Sequence, residues 1–445
     1  MKKSLIAIAI LGAAAFSAQA ANVTLYGTVD AGFMYKNHKV TADGEQIGKK
    51  ESSFKMADGV DGANKIGIKG EEDIGNAKVG FKLENQFKIS NGEFKDSSKL
   101  FSREARMYVK SDFGELSAGR FGGLASAAGS YDIFFGNADA FDGGDNDLPY
   151  AFATSSRYDN SIAYQSPEIA GFQGTLMYSF QKDGKQADKM KDNDRYIGAG
   201  LTFKQDALAL VGVFEAQLRP NELKEDAYKN GFTYSIGGNY DFGMAKVFAG
   251  AQYAKNTNFS DIQHGFDVKA LIKEVPLKDA FAGFKQAAGE LAAPQQKELK
   301  EGVNDIIHAY NKLEDENVAD WDGVPGNLNE TDFNKVVRGL GAYGVNHMQY
   351  DGFAFTLGSQ IPFGANKVTV AGYFGQYKNS HDYLVVDKKD AKLNIYGIDG
   401  RYEYSLSKRT TLAAGAGIGQ SQIKIDGDKL KDKMAQVYLG LHHNF

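Results

Sequence analysis

Segments of roughly ten residues with a two-residue hydrophobic period recur along this chain, and that feature limits the fold more than any other. In "NVTLYGTVDAGFMY" (22–35), Val23, Leu25, Val29, Ala31 and Phe33 take one face, while Thr24, Tyr26, Thr28 and Asp30 take the other. The alternation returns in "FTYSIGGNY", where Phe232, Tyr234, Ile236 and Tyr240 oppose Thr233, Ser235 and Asn239. In "KVTVAGYF", Val368, Val370 and Phe374 oppose Thr369, Ala371 and Tyr373. It runs into the last residues, "VYLGLHHNF" (437–445), with Val437, Leu439, Leu441 and Phe445 on the apolar side.

Such strands also suit a β-sandwich in water, and the spacing of the connections decides against one. Seven short connections lie at 72–77, 111–115, 166–172, 204–207, 241–245, 362–366 and 406–410. Eight longer polar segments alternate with them, near 38–61, 90–100, 121–155, 182–194, 218–230, 255–346, 378–390 and 422–431. Strict alternation of short turns and long loops around an even strand count is the pattern of an outer-membrane barrel. The sequence therefore predicts an all-β fold, a 16-stranded antiparallel transmembrane β-barrel over 21–445, with the apolar faces toward lipid and the polar faces toward a lumen. A terminal strand that pairs with the first removes the sheet edge, and Phe445 is expected to close the barrel within the periplasmic aromatic girdle.

The first twenty residues read as an export signal. Met1-Lys2-Lys3 is basic, Leu5 to Phe16 is apolar, and Ala18-Gln19-Ala20 is a small-x-small cleavage site. The run is shorter than the roughly 20 residues that span a bilayer, so 1–20 is expected to be cleaved rather than to anchor. Cysteine is absent, which excludes zinc–thiolate sites and cysteine nucleophiles. Gly (52) and Tyr (23) are abundant and Pro (7) is scarce, which suits long strands and tight turns better than disorder. Cleavage of Lys2 and Lys3 would leave 49 basic against 56 acidic residues, a net of −7, and that balance argues against a nucleic-acid partner.

Several motifs in order, "VTLYGTVDAGF", "KIGIKGEEDIGN", "ELSAGRFGG", "RYDNSIAYQSPEIAGF" and "YSLSKRT" with the terminal aromatic, resemble the general porin family of Gram-negative bacteria. The resemblance implies a homotrimer in the cell outer membrane, in contact with its lipid and lipopolysaccharide and inserted by the barrel assembly machinery through its C-terminal strand. It implies that each barrel is a water-filled pore for ions and small hydrophilic solutes, needing no cofactor. It further implies that the third external loop folds inward and sets acidic residues against a basic ladder on the opposite wall.

Carried onto this chain, the ladder falls on Lys65, Arg120 and Arg157. Lysine stands at 65 where the family carries arginine, and a further rung found in some members falls on Thr28 and is missing. Strand parity supports the orientation. With Ile66 and Ile68 toward lipid, Lys65 and Lys69 point inward, and with Tyr158, Ile162 and Tyr164 toward lipid, Arg157 points inward. The inward loop, 121–155, holds Asp132, Asp139, Asp142, Asp145 and Asp147 and no basic residue. The family's "FGGD" is shifted here to "FDGGD", and Asp142 and Asp145 are expected to face the pore. "DGGDND" lacks the regular spacing of a calcium loop, and no metal is expected.

Seven histidines, at 38, 264, 308, 347, 381, 442 and 443, form no recognisable nucleophile arrangement, and no enzyme activity is expected. "GAGAGIG" (413–419) lies in a strand and is not a phosphate loop. A substrate-selective porin and a surface adhesin or receptor barrel remain as alternatives. The second draws on 256–346, where the period turns helical. Leu277, Phe281, Phe284, Ala288 and Leu291 form one stripe, and Leu299, Val303, Ile307, Tyr310 and Leu313 another. Pro294 suits the first turn of the second helix, and Thr331 is expected to cap a third. With 9 basic and 15 acidic residues, this segment is expected to be an acidic helical subdomain in the sixth external loop.

Overall fold

A computed structural model describes residues 22–42, 44–46, 51–146, 148–221, 229–258, 278–291, 293–314, 318–324, 327, 329–336, 349–380, 392–425 and 428–445. The expected signal segment 1–20, Asp147 and Leu277 lie outside the described residues. Among the described residues, eighteen strands hydrogen-bond into one sheet. Two of them, Glu45–Gln46 and Glu51–Ala57, flank the upper part of the first strand.

The other sixteen close on themselves. They are β1 (Asn22–Ala42), β2 (Lys65–Asp73), β3 (Ala77–Gln86), β4 (Glu104–Ser111), β5 (Gly114–Gly122), β6 (Arg157–Gln165), β7 (Phe172–Ser179) and β8 (Arg195–Gln205). The second half comprises β9 (Leu208–Leu218), β10 (Gly231–Asp241), β11 (Lys246–Asn258), β12 (Gln349–Phe363), β13 (Asn366–Asn379), β14 (Lys392–Ser405), β15 (Thr410–Ile425) and β16 (Asp428–Asn444). Every neighbouring pair is antiparallel, and β1 meets β16 from Thr28↔Asn444 to Ala42↔Leu430. All backbone polar groups of a spanning strand then find partners within the sheet, the condition for crossing hydrocarbon.

The period-two pattern sorts by face as the sequence predicts. Leu25, Phe33, Tyr234, Ile236, Val370, Phe374, Val437, Leu439 and Leu441 are exposed, whereas Thr28, Asp30, Ser235, Asn239 and Thr369 are buried. Large apolar groups therefore point outward, the reverse of a water-soluble sheet. Aromatic rings lie across glycines of neighbouring strands. A Cβ built on Gly415 would sit 2.2 Å from the Tyr438 ring, and one on Gly27 would sit 2.4 Å from the Phe445 ring. The chain end is tied by Gly27 N–H to Phe445 O and Phe445 N–H to Gly27 O, both at 3.1 Å.

Four details depart from the sequence reading, the first being that the expected loop near 38–61 holds the end of β1 and the two extra strands paired with it. Tyr158 is buried, its ring tilted against that of Tyr196 at 4.5 Å, instead of facing outward with Ile162 and Tyr164. The β5–β6 register shifts between Gly119 and Phe121, and Asn160 takes a left-handed conformation (φ 48°). This bulge resets the alternation, so parity counted from Ile162 fails at Tyr158. The expected loop near 422–431 is mostly strand, because β15 and β16 stay paired out to Ile425↔Asp428. Finally, Asn329 rather than Thr331 caps the helix at 330–336, its Oδ1 accepting from Thr331 N (2.7 Å) and Asp332 N (3.3 Å).

Between β5 and β6 the chain makes one helical turn, α1 (Phe135–Ala138). Between β11 and β12 it forms α2 (Lys278–Glu290) and α3 (Ala293–Glu314), with Pro294 in the first turn of α3. Phe284, Ala288, Leu299, Val303 and Ile307 of the two expected stripes pack with Val318, Trp321 and Val336. The side chains of Tyr310 and Leu313 lie outside the described residues.

Candidate pore-lining site

The inward-facing side of β2 to β6 is dense in cations. Lys65 opens β2, Lys82 and Glu84 alternate inward on β3, and Arg103, Glu104 and Arg106 enter β4. Arg120 lies near the end of β5 and Arg157 begins β6. Lys82 pairs with Glu104 at 2.7 Å, Arg103 with Glu84 at 2.5 Å, and Arg106 with Glu104 at 2.7 Å and Glu115 at 2.5 Å. Arg120 pairs with Asp159 at 2.5 Å and donates to Ser102 O at 2.9 Å. Lys99 bridges Asp159 and Asp183, at 2.7 Å each.

The three ladder residues therefore sit in one cluster. Lys65, Lys82, Arg103 and Arg157 are electrostatic neighbours, with Glu84 the acid among them. Arg157 Nε is buried and makes no hydrogen bond among the described residues. Outside the strands, burial and then the charges of Arg157 and Arg103 push the Lys95 ammonium down from its ordinary value. Thr28, at the missing rung, pairs across the strands with Lys65 and donates to Asn444 Oδ1 at 2.7 Å.

The 121–155 segment lies against the polar face of the other strands. Leu124 N–H donates to Tyr196 (β8) at 3.1 Å, and Ala125 N–H to Glu215 (β9) at 3.2 Å. Gln252 (β11) bonds both backbone groups of Ala153, at 2.7 and 2.9 Å. Asn239 (β10) donates to Asn137 O, Gln360 (β12) to Ala140 O, and Tyr377 (β13) to Ala151 O, each at 2.7 Å. A core of Phe121, Leu124, Tyr131, Phe134, Phe135, Tyr150 and Phe152 is buried beneath these contacts. Backbone that would be unpaired in a loop is thus satisfied by strand side chains.

The four aspartates divide. Asp139 is buried and accepts from Gly143 N (2.8 Å), Gly144 N (3.0 Å) and Tyr150 Oη (2.9 Å), closing a turn. The Asp145 carboxylate is fully buried, paired with Arg401 (β14) at 2.5 Å and accepting from Tyr438 (β16) at 2.7 Å. It ties the segment to the wall instead of presenting its charge to open solvent. Asp142 is exposed and Asp132 half-buried. Burial and the charge of Asp142 hold the Asp132 carboxyl well above the usual range.

Arg401 also pairs with Asp61, in a second segment drawn to the same face. The Asp30 carboxylate accepts from Val60, Asp61 and Gly62 N–H at 2.8–2.9 Å, and Asn146 donates to Val60 O at 3.1 Å. His442 contributes Nδ1 at 3.1 Å from Asp30. Sequence reasoning missed Lys82, Arg103, Arg106 and Arg401; parity exposes Lys82, Arg106 and Arg401, whereas Arg103 precedes β4 and no strand parity applies to it. Tyr402 and Tyr404 point outward, so Arg401 must point in. No group of His, Asp or Glu among the described residues has the arrangement of a metal site.

Comparisons with known proteins agree with this architecture. A family model described as Gram-negative porin matches residues 5–421. The chain is 27% identical to an outer membrane porin protein of Bordetella pertussis, covering 100% of both chains. It is 29% identical to outer membrane porin protein 32 of Delftia acidovorans, over 70% of this chain and 85% of that one. Among solved structures, an anion-selective porin from Comamonas acidovorans aligns with a TM-score of 0.53 at 17% identity, covering 96% of this chain and 100% of that one. The outer membrane channel DcaP of Acinetobacter baumannii aligns with a TM-score of 0.55 at 14% identity, covering 96% and 98%. Identity this low speaks for the fold alone.

Proposed function

The chain belongs to the Gram-negative porin family and is an outer-membrane channel, and from that premise we propose how its pore is shaped and charged. The 121–155 segment folds into the lumen along β8 to β16 and leaves the passage against β2 to β6. The observation that carries this reading is the row of hydrogen bonds between that segment and strand side chains, with Tyr196 and Glu215 accepting from its backbone and Asn239, Gln252, Gln360 and Tyr377 donating to it. These side chains belong to the face opposite the outward apolar one. Lys65, Arg120 and Arg157, with Lys82 and Arg103, form the basic side of the narrow point. Asp132 and Asp142 are the acidic residues that face it, and Asp139 and Asp145 hold the loop in place.

Opposed charges across a narrow lumen set a transverse field, and rings of charge decide which ions pass. Replacing Arg120 or Arg157 by Gln should shift permeability toward cations, read from reversal potentials in a salt gradient across a planar bilayer. Unchanged reversal potentials in both variants would show that neither residue lines the narrow point. A homotrimer, the assembly the family resemblance implies, is part of this proposal and predicts conductance opening in correlated triplets. Export by cleavage of 1–20, and contacts with lipopolysaccharide and the barrel assembly machinery, belong to the same proposal.

The acidic segment 256–346 is proposed to be an external helical lid in the sixth loop. Its net charge of −6 would repel anions at the pore entrance in dilute salt, where the Debye length is long. Deleting 262–340 should leave a folded barrel with raised conductance or lowered cation preference, most clearly at low ionic strength. Identical conductance and selectivity from dilute to concentrated salt would remove the lid role.

A further inference from the structure

The helical unit between β11 and β12 contains a cavity that the channel function does not use. Its apolar lining is Phe284, Val303, Ile307, Val318, Trp321 and Phe333, and its volume is about 370 Å³. Ligand cavities begin at roughly this size, and most are apolar with a few polar groups that fix orientation. The polar groups here are the carboxylates of Asp320 and Asp332 and the amides of Asn327 and Asn329, with no cation among the described lining residues.

The walls are built rather than incidental. Asn304 of α3 donates to Trp321 O (3.0 Å) and accepts from Trp321 N (2.8 Å). Two helical turns on, Asn311 does the same for Val318, at 2.8 and 2.9 Å. These two amides pin the 318–321 stretch along the helix, and the indole N–H is fixed to Val324 O at 2.9 Å. Phe284 lies between Trp321 (6.2 Å) and Phe333 (5.5 Å), its ring tilted to both. A pocket whose wall is fixed before binding loses little entropy on occupation. Asp320 is engaged by His308 at 2.7 Å. The Asp332 carboxylate makes no hydrogen bond or ion pair among the described residues, because only its backbone N–H is used.

We propose that this cavity binds a small organic ammonium compound with an aromatic body. The ring would lie among Phe284, Trp321 and Phe333, and the ammonium would meet Asp332 at the rim. Aromatic faces attract cations as well as apolar surface, which favours such a ligand over a neutral hydrocarbon. The carboxylates, and the net charge of −6 on the surrounding segment, exclude an anion of the same shape.

Trp321 is the sole tryptophan of the chain, so its fluorescence reports this cavity without a label. The intact protein in detergent is titrated with 2-phenylethylamine and, separately, with 3-phenylpropionate, a carboxylate of similar size. The proposal expects a saturable change with the amine and at least about tenfold weaker response to the carboxylate, the scale of one charged hydrogen bond. Asp332→Asn should weaken the amine by about the same factor while leaving the unliganded spectrum unchanged. No saturable change with the amine, an equal response to both compounds, or undiminished affinity in a folded Asp332→Asn protein would each overturn it. Should that variant's free spectrum show an unfolded unit, the amine and carboxylate titrations of the unsubstituted chain decide.

Discussion

The barrel wall and the helical unit are two solutions to one packing problem, written with the same residue types in opposite directions. On β10, Ile236 is 69% exposed and Ser235 5% exposed. In the helical unit, Ile307 is 6% exposed and packs on Trp321 and Val336. The barrel keeps its apolar side chains outward because lipid is its solvent, and it is held by a closed ladder of backbone hydrogen bonds. The helical unit turns its apolar stripe inward and relies on burial. A charged interior is thus normal in one region and ruinous in the other. What decides is the solvent each face meets, and the period of the pattern tells the two apart.

Substitutions that exchange these environments sharpen the contrast, and the largest effect is expected in the barrel interior. Arg401→Leu would strand the buried Asp145 carboxylate, and removing one partner of a buried pair costs about 3–5 kcal/mol. Limited proteolysis should then cut within 121–155 and single-channel noise should rise, while the sheet persists. Full protection of the segment would show that Arg401 does not hold it. Next, Ile236→Lys at the middle of β10 should cost about 2–4 kcal/mol in denaturant-induced unfolding from lipid vesicles, since a cation would face the bilayer midplane. An unchanged midpoint would place Ile236 against protein rather than lipid. In the helical unit, Ile307→Val should cost about 1 kcal/mol, seen as an earlier Trp321 emission transition with the barrel transition unmoved. A matching shift in the barrel would join the two regions into one cooperative unit. Smallest of all, Lys297→Ala removes an exposed pair with Glu301 at 3.9 Å, and no midpoint should move within error.

Much of this was legible in the sequence for physical reasons. A strand period of two is strict, so faces, turns and closure could be read wherever the ladder is regular, as at Leu25, Ile236 and Val437. The reading failed where a bulge broke the count, at Tyr158, and where pairing outlasted the apolar pattern, at 422–431. Turn chemistry misplaced a cap by two residues, from Asn329 to Thr331, because both types cap helices. Ladder residues Lys65, Arg120 and Arg157 rested on family motifs and landed in one cluster. The partner of Asp145 was hidden, since Arg401 lies 256 residues away in sequence and only the closed sheet brings them together. The aspartates of 121–155 look alike in sequence, yet Asp139 closes a turn within the segment and Asp145 pairs with Arg401, while Asp142 stays exposed.

The central claim is that 121–155 lies in the lumen with Asp142 facing the passage, and the absence of native cysteine makes it directly accessible to test. Asp142→Cys is reconstituted in a planar bilayer and exposed to methanethiosulfonate reagents bearing a sulfonate or a trimethylammonium group. Phe113→Cys, on an exposed turn, serves as the reference. The account predicts that both reagents lower the single-channel conductance of the Asp142→Cys protein and shift its reversal potential in opposite directions, and that neither changes the Phe113→Cys channel. Complete labelling of the thiol in the Asp142→Cys protein with conductance and reversal potential unchanged would contradict it.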